Sequence, residues 1–381
     1  MKKKVIIFLN RKLLTADTIL PFLIEIKEYN RNIKKEVWIP DDQTFKEIKK
    51  NIFLYKELSL ICKIKVLSNK NRFKIFQFIH KMKVLCDFFL LLFQSLFTKV
   101  IFIHFKLLLN WPFRTLLYLN YNNTYFAEAN SYGDNLSMAS IKDQSWPLLK
   151  NYKFPGKLIQ FSKDWYLVNY SKTKKSHIFY YGFPRTTYNF VNLIEKKKKK
   201  YFLKEKLKFD QRKYITIILG FYGEIKYHKK TGYQKKLFEN TLQVLNNFKN
   251  QYVILKPHHS TDMNYITKTI KNFKNIKIFI SYLHPLILAT KTKIVIANNY
   301  STALNDFKIN NIPTIEYTAY NNTTLKKTKG LSQSPKWVDY FINDNKEEFY
   351  NLILKLTRDN RKQSAVKCTK ANISILNKIF F

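Results

Sequence analysis

Glycine and cysteine are both scarce in this chain of 381 residues, and each scarcity excludes a class of site. The seven glycines form neither G-x-G-x-x-G nor G-x-x-x-x-G-K-S/T, which argues against a dinucleotide dehydrogenase and a P-loop NTPase. The three cysteines, Cys62, Cys86 and Cys368, lie too far apart for a metal site or a disulfide framework. The start MKKKVIIFLN has too few apolar residues for a signal-peptide core, so we expect a protein of the reducing cytosol.

Acidic residues are scarce as well, since 26 Asp and Glu stand against 68 Lys and Arg and the net charge is +42. Nearly all of the excess is lysine, in a chain also rich in Asn, Ile, Phe and Tyr, so part of it reflects a biased composition. Specific nucleic-acid binding is not expected, because readers of nucleic acid favour arginine interleaved with aromatic residues. Attraction to anionic lipid headgroups and anionic glycans is expected.

The one membrane-like stretch covers residues 84–109. Five polar or charged residues interrupt it: Asp87, Gln94, Lys99, His104 and Lys106. A spanning helix needs about 20 mostly apolar residues, so we interpret the stretch as a core helix followed by a strand. A peripheral contact with the anionic inner membrane through its aromatic side chains is the alternative.

Short β-branched runs alternate with helix-like segments along the chain, which predicts an α/β protein with parallel strands. We expect two Rossmann-like doubly wound domains facing a cleft, followed by C-terminal helices that return to the first domain. The predicted boundaries are 1–190 for the first domain, 191–212 for a basic linker or hinge, 213–345 for the second domain and 346–381 for the C-terminal helices.

Strands are predicted at the β-rich runs Val5–Leu9, Glu36–Ile39, Lys63–Leu67, Lys99–His104, Lys157–Phe161, Tyr166–Asn169, His177–Tyr181, Tyr214–Leu219, Tyr252–Leu255, Lys293–Ala297 and Thr314–Glu316. Thr44–Leu60 is predicted as one long amphipathic helix. Tyr121–Trp146 is more irregular, and loops of that length in compact domains are often functional.

Two polar loops follow neighbouring predicted strands in the stretch Gln251–Tyr317. Ligands gather at the ends of parallel strands, so these loops are the first candidates for a binding site. In the first loop, Lys256 offers a positive charge to a phosphate, and His258 and His259 offer hydrogen bonds or charge. The ordinary reading is a strand end with exposed basic residues.

The second loop lies between a predicted strand and a predicted helix. The helix start would supply N–H groups and a positive dipole end, which together bind anions, and Asn299, Ser301 and Thr302 would add polar side chains. Asp306, four residues after Thr302, would share its helix face and accept from sugar or ribose hydroxyls. Plain helix capping by Ser or Asn is the ordinary reading.

Carboxylates elsewhere are candidates for a general base that activates a hydroxyl. Glu128 and Asp134, in the irregular segment, are the residues we place in this catalytic role. Gly223 and Glu224 follow the first strand of the second domain, and we count them with Arg185 among the ligand contacts. Each of these acids also fits a solvated loop position, and Arg185 fits a simple turn.

The two polar loops resemble elements of the two-domain GT-B glycosyltransferases, in particular the branch that builds bacterial capsules and surface polysaccharides. Lys256–His259 is similar to the K-P-H-P element of that family, with histidine in place of the second proline. Residues 301–306 are similar to its S-S/T-x-x-x-E element, with aspartate in place of glutamate, and Ile312–Ile315 to its G-x-P-V/T strand. The good match covers Tyr214–Tyr317.

A looser match lies in the first domain, where four residues resemble the E…G-x-N-x-S pattern of capsule synthesis proteins: Glu128, Gly133, Asn135 and Ser137. The branch includes enzymes that transfer 3-deoxy-manno-octulosonic acid (Kdo) and related acidic sugars. The resemblance implies that a nucleotide-sugar donor binds to Lys256, His258, Ser301, Thr302 and Asp306.

The predicted function is therefore transfer of a sugar from a nucleotide sugar to a surface polysaccharide or a lipid-linked glycan. No D-x-D motif occurs, so the ligand pair of metal-dependent single-domain transferases is missing, and we expect neither a metal nor a cofactor. The enzyme would work in the cytosol at the face of the inner membrane. The alternatives are a sugar-nucleotide 2-epimerase or a glycerophosphate transferase of the same layout, and a catalytically inactive accessory protein of capsule biosynthesis or export.

Overall fold

The computed structural model describes residues 3–11, 13–68, 74–105, 112–129, 156–163, 173–210, 213–220, 228–229, 232–299, 301–358 and 367–380. These residues divide into two compact units. The first unit holds the described residues up to 193 together with residues 368–380, and the second holds those from 194 to 367.

Each unit is built on one parallel sheet. The order is β3-β2-β1-β4-β5-β6-β7 in the first unit and β10-β9-β8-β11-β12-β13 in the second. Both orders run outward from the first strand in two directions, as in doubly wound α/β domains. The strands are β1 (Lys4–Phe8), β2 (Lys34–Ile39), β3 (Lys63–Val66), β4 (Val100–His104), β5 (Thr124–Ala127), β6 (Lys157–Gln160), β7 (Ile178–Tyr180), β8 (Tyr214–Ile218), β9 (Tyr252–Lys256), β10 (Lys277–Ile280), β11 (Thr292–Ala297), β12 (Thr314–Thr318) and β13 (Tyr340–Asn343).

Helices connect most of the strands. They are α1 (Leu13–Tyr29), α2 (Asp42–Lys50), α3 (Ile52–Ile61), α4 (Lys74–Phe97), α5 (Phe113–Leu119), α6 (Tyr188–Lys204), α7 (Tyr233–Asn246), α8 (Met263–Ile270), α9 (Pro285–Ala289), α10 (Leu304–Lys308), α11 (Asn322–Thr328), α12 (Lys346–Arg358) and α13 (Ile373–Phe380). Strands β4, β5, β8 and β12 are buried along their whole length, because a parallel sheet in such a fold is covered on both faces.

Aromatic side chains form the centre of one core in the first unit. The ring of Phe8 on β1 lies 5.6 Å from that of Trp38 on β2 and 5.4 Å from that of Phe113 on α5. Phe88 and Leu91 of α4 belong to the same cluster. Helices α4 and α5 are thus held on the sheet by the same aromatic core.

Of the C-terminal helices predicted to return to the first unit, α13 does so and α12 does not. Thr369 pairs with Thr187, and the ring of Phe380 on α13 lies 6.3 Å from that of Phe22 on α1. The preceding helix α12 stays in the second unit, where Phe349 stacks on Tyr317 of β12 with ring centroids 4.4 Å apart.

The predicted α/β class with two doubly wound units is confirmed, and most predicted strands are present with ends shifted by one or two residues. Strands β5, β10 and β13 were not predicted, and β5 lies in the segment Tyr121–Trp146 that the sequence predicts as irregular. The predicted single helix Thr44–Leu60 is wrong. Asn51 interrupts it with non-helical backbone and caps α3, since its Oδ1 accepts from the N–H of Leu54 at 3.1 Å.

Two further predictions concern particular segments. The run Lys196–Lys200, predicted as part of a linker, lies inside α6 and is helical. Tyr166–Asn169, predicted as a strand, lies outside the described residues. Of the helices in the described ranges, none combines the length and the apolar character needed to cross a bilayer.

Candidate functional site

Three loops meet at the carboxyl edge of the second sheet, where the strand order reverses between β8 and β11. The hydroxyl of Thr261 donates to the carbonyl oxygen of Gly220 at 3.1 Å and accepts from the N–H of His258 at 2.9 Å. These two bonds join the loops after β8 and β9. A Cβ atom added to Gly220 would lie 4.0 Å from the Cβ of Asn299, so the loop after β11 adjoins the same glycine.

His258 is held in place by its neighbours in the loop after β9. Ser260 contacts the ring nitrogen Nδ1 through its hydroxyl at 2.7 Å and through its N–H at 3.4 Å. The N–H of Ser260 points at Nδ1, which favours the neutral tautomer with its proton on Nε2. Desolvation by the surrounding protein, followed by the charges of His259 and Lys256, lowers the pKa of His258 to about 4, although part of the ring is exposed. This shift favours the uncharged ring, which can donate a hydrogen bond, at neutral pH.

His259 stacks against this ring, with the two centroids 3.9 Å apart. It is exposed, so it extends the polar surface of the loop. A second histidine and a lysine beside His258 disfavour its protonation, so of the two predicted roles the uncharged hydrogen-bond donor is favoured.

Lys256 ends strand β9, and its side chain is only 8% exposed. Its charge is felt by Glu205, which follows α6. Burial raises the pKa of the Glu205 carboxyl, while a hydrogen bond from Ser281 and the charge of Lys256 oppose the rise. Sequence reasoning missed Glu205, because nothing in its local sequence shows that it lies at this edge. The side chain of Lys256 is thus largely buried, and its positive charge is partly balanced by the nearby Glu205 carboxyl.

The loop after β11 divides into a structural part and an accessible part. Asn298 is buried, and its Nδ2 donates to the Thr241 hydroxyl at 2.9 Å, which fastens the loop to α7. Ser301 and Thr302 are half-buried. The Oγ of Ser301 accepts from the N–H of Ala303 at 3.4 Å. Asn299 has the same half-buried character, so three polar side chains of this loop keep partial exposure.

Helix α10 follows this loop and is shorter than the sequence predicts. It begins at Leu304 and has five residues, so Thr302 precedes it and the expected shared helix face with Asp306 is wrong. A helix of one turn also has little macrodipole to offer an anion. Asp306 is fully buried, as is Asn305. The burial of Asp306 favours a structural role, and its contact with a sugar hydroxyl stays a prediction.

A buried polar group behind the same edge was not predicted. His228 is 5% exposed, pairs with Tyr320 in an isolated bridge, and shares a hydrogen bond with the side chain of Asn299 that favours the protonated ring. Burial lowers the pKa of His228 to about 4, against the effect of Asn299. Glu316 on β12 in turn accepts from the hydroxyls of Tyr320 and of Ser332. These contacts fix the side chain of Asn299 and the loop after β12.

The predicted catalytic acid Glu128 follows β5 in the first unit and is fully buried. Its Oε2 accepts from the N–H groups of Phe161 at 2.6 Å and Ser162 at 2.8 Å, and its Oε1 lies 3.4 Å from the Ser162 hydroxyl. A carboxylate with such partners ties the end of β5 to the loop after β6. Hydrogen bonds to the charged form also weaken it as a proton acceptor, so this geometry favours a structural role.

Arg185 also belongs to the first unit, in a one-turn 3₁₀ helix, Pro184–Thr186. It is 2% exposed, and its guanidinium lies 3.4 Å from the carboxylate of Asp17 on α1. Arg185 does not lie on the second sheet, and its predicted role as a donor contact stays a prediction. The remaining predicted residues Asp134, Gly223 and Glu224 lie outside the described residues.

The described residues contain no group of three or more His, Cys, Asp and Glu side chains that could hold a metal ion. The polar groups described at this edge are amide, hydroxyl and imidazole groups, which can donate hydrogen bonds to an anion, and the lysine side chain of Lys256.

No protein-family model and no curated protein matches this sequence. Solved structures match along nearly the whole chain. The UDP-GlcNAc 2-epimerase from Methanocaldococcus jannaschii has a TM-score of 0.57 and 13% identity over 99% of both chains. The fold of this chain is of the GT-B type.

Two further structures with a GT-B fold give the same result. The UDP-GlcNAc 2-epimerase from Neisseria meningitidis, bound to UDP-GlcNAc, has a TM-score of 0.55 and 12% identity over 99% of this chain and 94% of its own. The S. aureus MnaA–UDP co-structure has a TM-score of 0.53 and 11% identity over 100% of this chain and 91% of its own. At these identities the likeness establishes the GT-B fold.

Proposed function

We propose that this chain is an enzyme acting on a nucleotide sugar, whose diphosphate binds at the carboxyl edge of the second sheet. The observation that carries the proposal is the meeting of three loops at Gly220. A residue without a side chain leaves space there for a ligand, and polar groups from the loops after β9 and β11 surround it. The fold is shared with structures that contain UDP or UDP-GlcNAc.

The chemistry of this edge suits a departing diphosphate. In both sugar transfer and sugar-nucleotide rearrangement, negative charge grows on the phosphate oxygen as its bond to the sugar breaks. The Nε2–H of His258 and the hydroxyls of Ser301 and Thr302 would donate hydrogen bonds to these oxygens. Since the pKa of His258 is about 4, it donates as a neutral group throughout the physiological range.

The main reading is transfer of a hexosyl, Kdo or sialic-type sugar to a surface polysaccharide or a lipid-linked glycan. The sequence elements around Lys256–His259 and residues 301–306, which resemble those of glycosyltransferases, support it. A second candidate is 2-epimerisation of the nucleotide sugar, and the full-length fold matches to two UDP-GlcNAc 2-epimerases favour it. A phosphate site is common to all of these readings. The leaving group is a diphosphate for a hexosyl donor and for the epimerase substrate, and a monophosphate for a Kdo or sialic-type donor.

Calorimetric titration with UDP, UMP and uridine tests the shared step. We expect UDP to bind more tightly than UMP, and uridine to bind least, because the second phosphate makes most of the contacts. His258→Leu should weaken UDP binding by about tenfold through the loss of one hydrogen bond to a charged group, while His258→Gln keeps a donor and loses less. His177→Gln in the first unit is the matched control. Equal binding of UDP and uridine would overturn the site.

Product analysis separates the two reactions. Incubation with UDP-GlcNAc alone in heavy water should give deuterium at C2 of the sugar if the chain is an epimerase, because inversion there exchanges the proton with solvent. A transferase should release UDP only when a glycan or lipid-linked acceptor is added. Activity should survive dialysis against EDTA under either reading, in line with the metal-independent prediction. A chain that binds no nucleotide sugar at all would instead be an accessory protein.

A further inference from the structure

Helix α4 exposes a continuous apolar surface. Ile75, Ile79, Met82, Cys86, Phe89, Phe93 and Leu96 recur at alternating spacings of four and three residues, which places them on one side of the helix. All seven are exposed, from 45% for Met82 to 73% for Leu96. We call this surface the outer face of α4. A helix of 24 residues is about 36 Å long, so the face is far larger than a single exposed side chain would be.

The outer face is not needed for the core. Phe88 and Leu91, on the opposite side of the helix, are buried and attach α4 to the sheet of the first unit. The outer side chains line an open groove of about 640 Å3 through Phe89, Phe93 and Leu96 among others. Exposed apolar surface of this extent on a folded protein marks an interaction site.

The charges around this face have one sign. From 74 to 119, one acid stands against six lysines and arginines. That acid, Asp87, is paired with Lys65 at 2.7 Å. Lys81 and Lys83 are exposed on α4 itself. Helix α5, held by the same core, exposes Arg114 and Leu119. An apolar surface flanked by cations is complementary to a layer whose outer groups are anionic and whose interior is apolar.

We propose that the outer face of α4 docks on an anionic lipid bilayer, with α4 lying in the plane of the interface and not crossing it. Phenylalanine and leucine enter the boundary between headgroups and acyl chains, and Lys81 and Lys83 contact lipid phosphates. A second copy of this chain is the less favourable occupant, because two chains that each carry a net charge of +42 repel one another. The proposal does not depend on which sugar reaction the chain catalyses.

Vesicle flotation tests both components of the contact in the full chain. Vesicles of phosphatidylcholine with phosphatidylglycerol should bind the protein, and vesicles of phosphatidylcholine alone should bind it weakly. Loss of three apolar side chains should lower binding by about tenfold or more in the triple variant Phe89→Gln, Phe93→Gln, Leu96→Gln. The matched control changes three exposed leucines elsewhere and should bind normally: Leu60→Gln, Leu203→Gln, Leu331→Gln.

Charge is tested by two pairs of substitutions that change the net charge equally. Lys81→Glu with Lys83→Glu should lower binding to anionic vesicles by about tenfold or more, since each lysine near a bilayer surface contributes substantially. Lys271→Glu with Lys274→Glu, at exposed positions in the second unit, should have a much smaller effect. Equal losses in the two pairs would mean attraction by overall charge alone and would overturn the proposal.

Cys86 gives a direct reading of insertion. It is exposed in the middle of the outer face, while Cys62 is buried with the pKa of its thiol raised to about 12 and is therefore unreactive. In a Cys368→Ser variant, an environment-sensitive fluorophore on Cys86 should shift to the blue when anionic vesicles are added. In a Cys86→Ser variant, the same label on Cys368 should not shift.

Light scattering without vesicles tests whether a second copy of this chain covers the outer face of α4. We expect a monomer whose mass the triple apolar variant does not change. A dimer that this variant dissociates, together with vesicle binding that it leaves intact, would assign the outer face to self-association and overturn the proposal. Nucleotide binding by the same variants should be unchanged, which keeps this test separate from that of the diphosphate site.

Discussion

The hydroxyl of Thr261 donates a hydrogen bond to the carbonyl oxygen of Gly220, over 3.1 Å, and so connects the loop after β9 to the loop after β8. The same hydroxyl accepts from the N–H of His258. One side chain therefore sets the distance between two strand ends and the position of the imidazole proposed to contact the diphosphate.

Thr261→Val should separate these loops without changing the shape of the side chain. We expect a loss of about 1 kcal/mol in the free energy of unfolding, because the carbonyl of Gly220 and the N–H of His258 lose their partner. UDP affinity should also fall under conditions in which the variant is fully folded, because the imidazole of His258 is no longer held in position. Thr267→Val, which removes an exposed hydroxyl bonded to its own helix, is the control. Wild-type UDP affinity in Thr261→Val would show that the loop connection does not position the site.

Substitution of two glycines, Gly220 and Gly156, should separate an effect on ligand binding from an effect on stability. Gly220→Ala adds a Cβ atom at ordinary contact distance, 4.0 Å from Asn299, and should change the free energy of unfolding by no more than about 0.5 kcal/mol. It should weaken UDP binding if the ligand occupies that space. Gly156→Ala should destabilise by roughly 3 kcal/mol or more, since its φ is +102° and the new Cβ would lie 2.1 Å from the carbonyl oxygen of Thr124. Tight UDP binding by Gly220→Ala would argue that this glycine does not line the site.

Acidification should destabilise the second unit through His228. Its pKa is lowered from 6.5 to about 4, so between these values the unfolded chain binds a proton that the folded chain does not. The contribution is complete above the unfolded value and is lost as the pH falls towards 4, with a magnitude on the order of 1–3 kcal/mol. Urea unfolding at a series of pH values measures it. His228→Gln should make this dependence less steep, and the remaining dependence should come from His258, whose pKa is lowered to about 4 as well. An unchanged slope in the variant would assign the effect elsewhere.

Glu128→Gln decides between the structural and the catalytic role of this residue. The amide keeps one acceptor oxygen but loses the negative charge that holds the N–H groups of Phe161 and Ser162. A structural role predicts a loss of roughly 1–3 kcal/mol in the free energy of unfolding, with kcat preserved in the fraction that remains folded. A catalytic base would show the reverse, with normal stability and kcat reduced by orders of magnitude.

The local pattern of the sequence determined the architecture and where the polar loops lie. The β-branched runs at 214–219, 252–255 and 293–297 predict buried parallel strands, and the structure contains them as β8, β9 and β11. Since strand ends of a parallel sheet share one edge, the position of Lys256–His259 and Asn299 at the same edge also followed from the sequence, whereas the position of β8 between their strands did not. The edge strands β10 and β13 were not predicted, since no run of the predicted strands covers Lys277–Ile280 or Tyr340–Asn343.

The tertiary structure decided which polar side chains are accessible and in what state of charge. Asp306 and Glu128 have the residue types of active-site acids, yet both are fully buried. Lys256 has Glu205 near it, and His258 is neutral because of its surroundings. On α4, the sequence shows apolar residues all round, and only packing shows that one side is covered and the other is bare. Burial and pKa depend on contacts between residues far apart in the chain, which local sequence patterns do not contain.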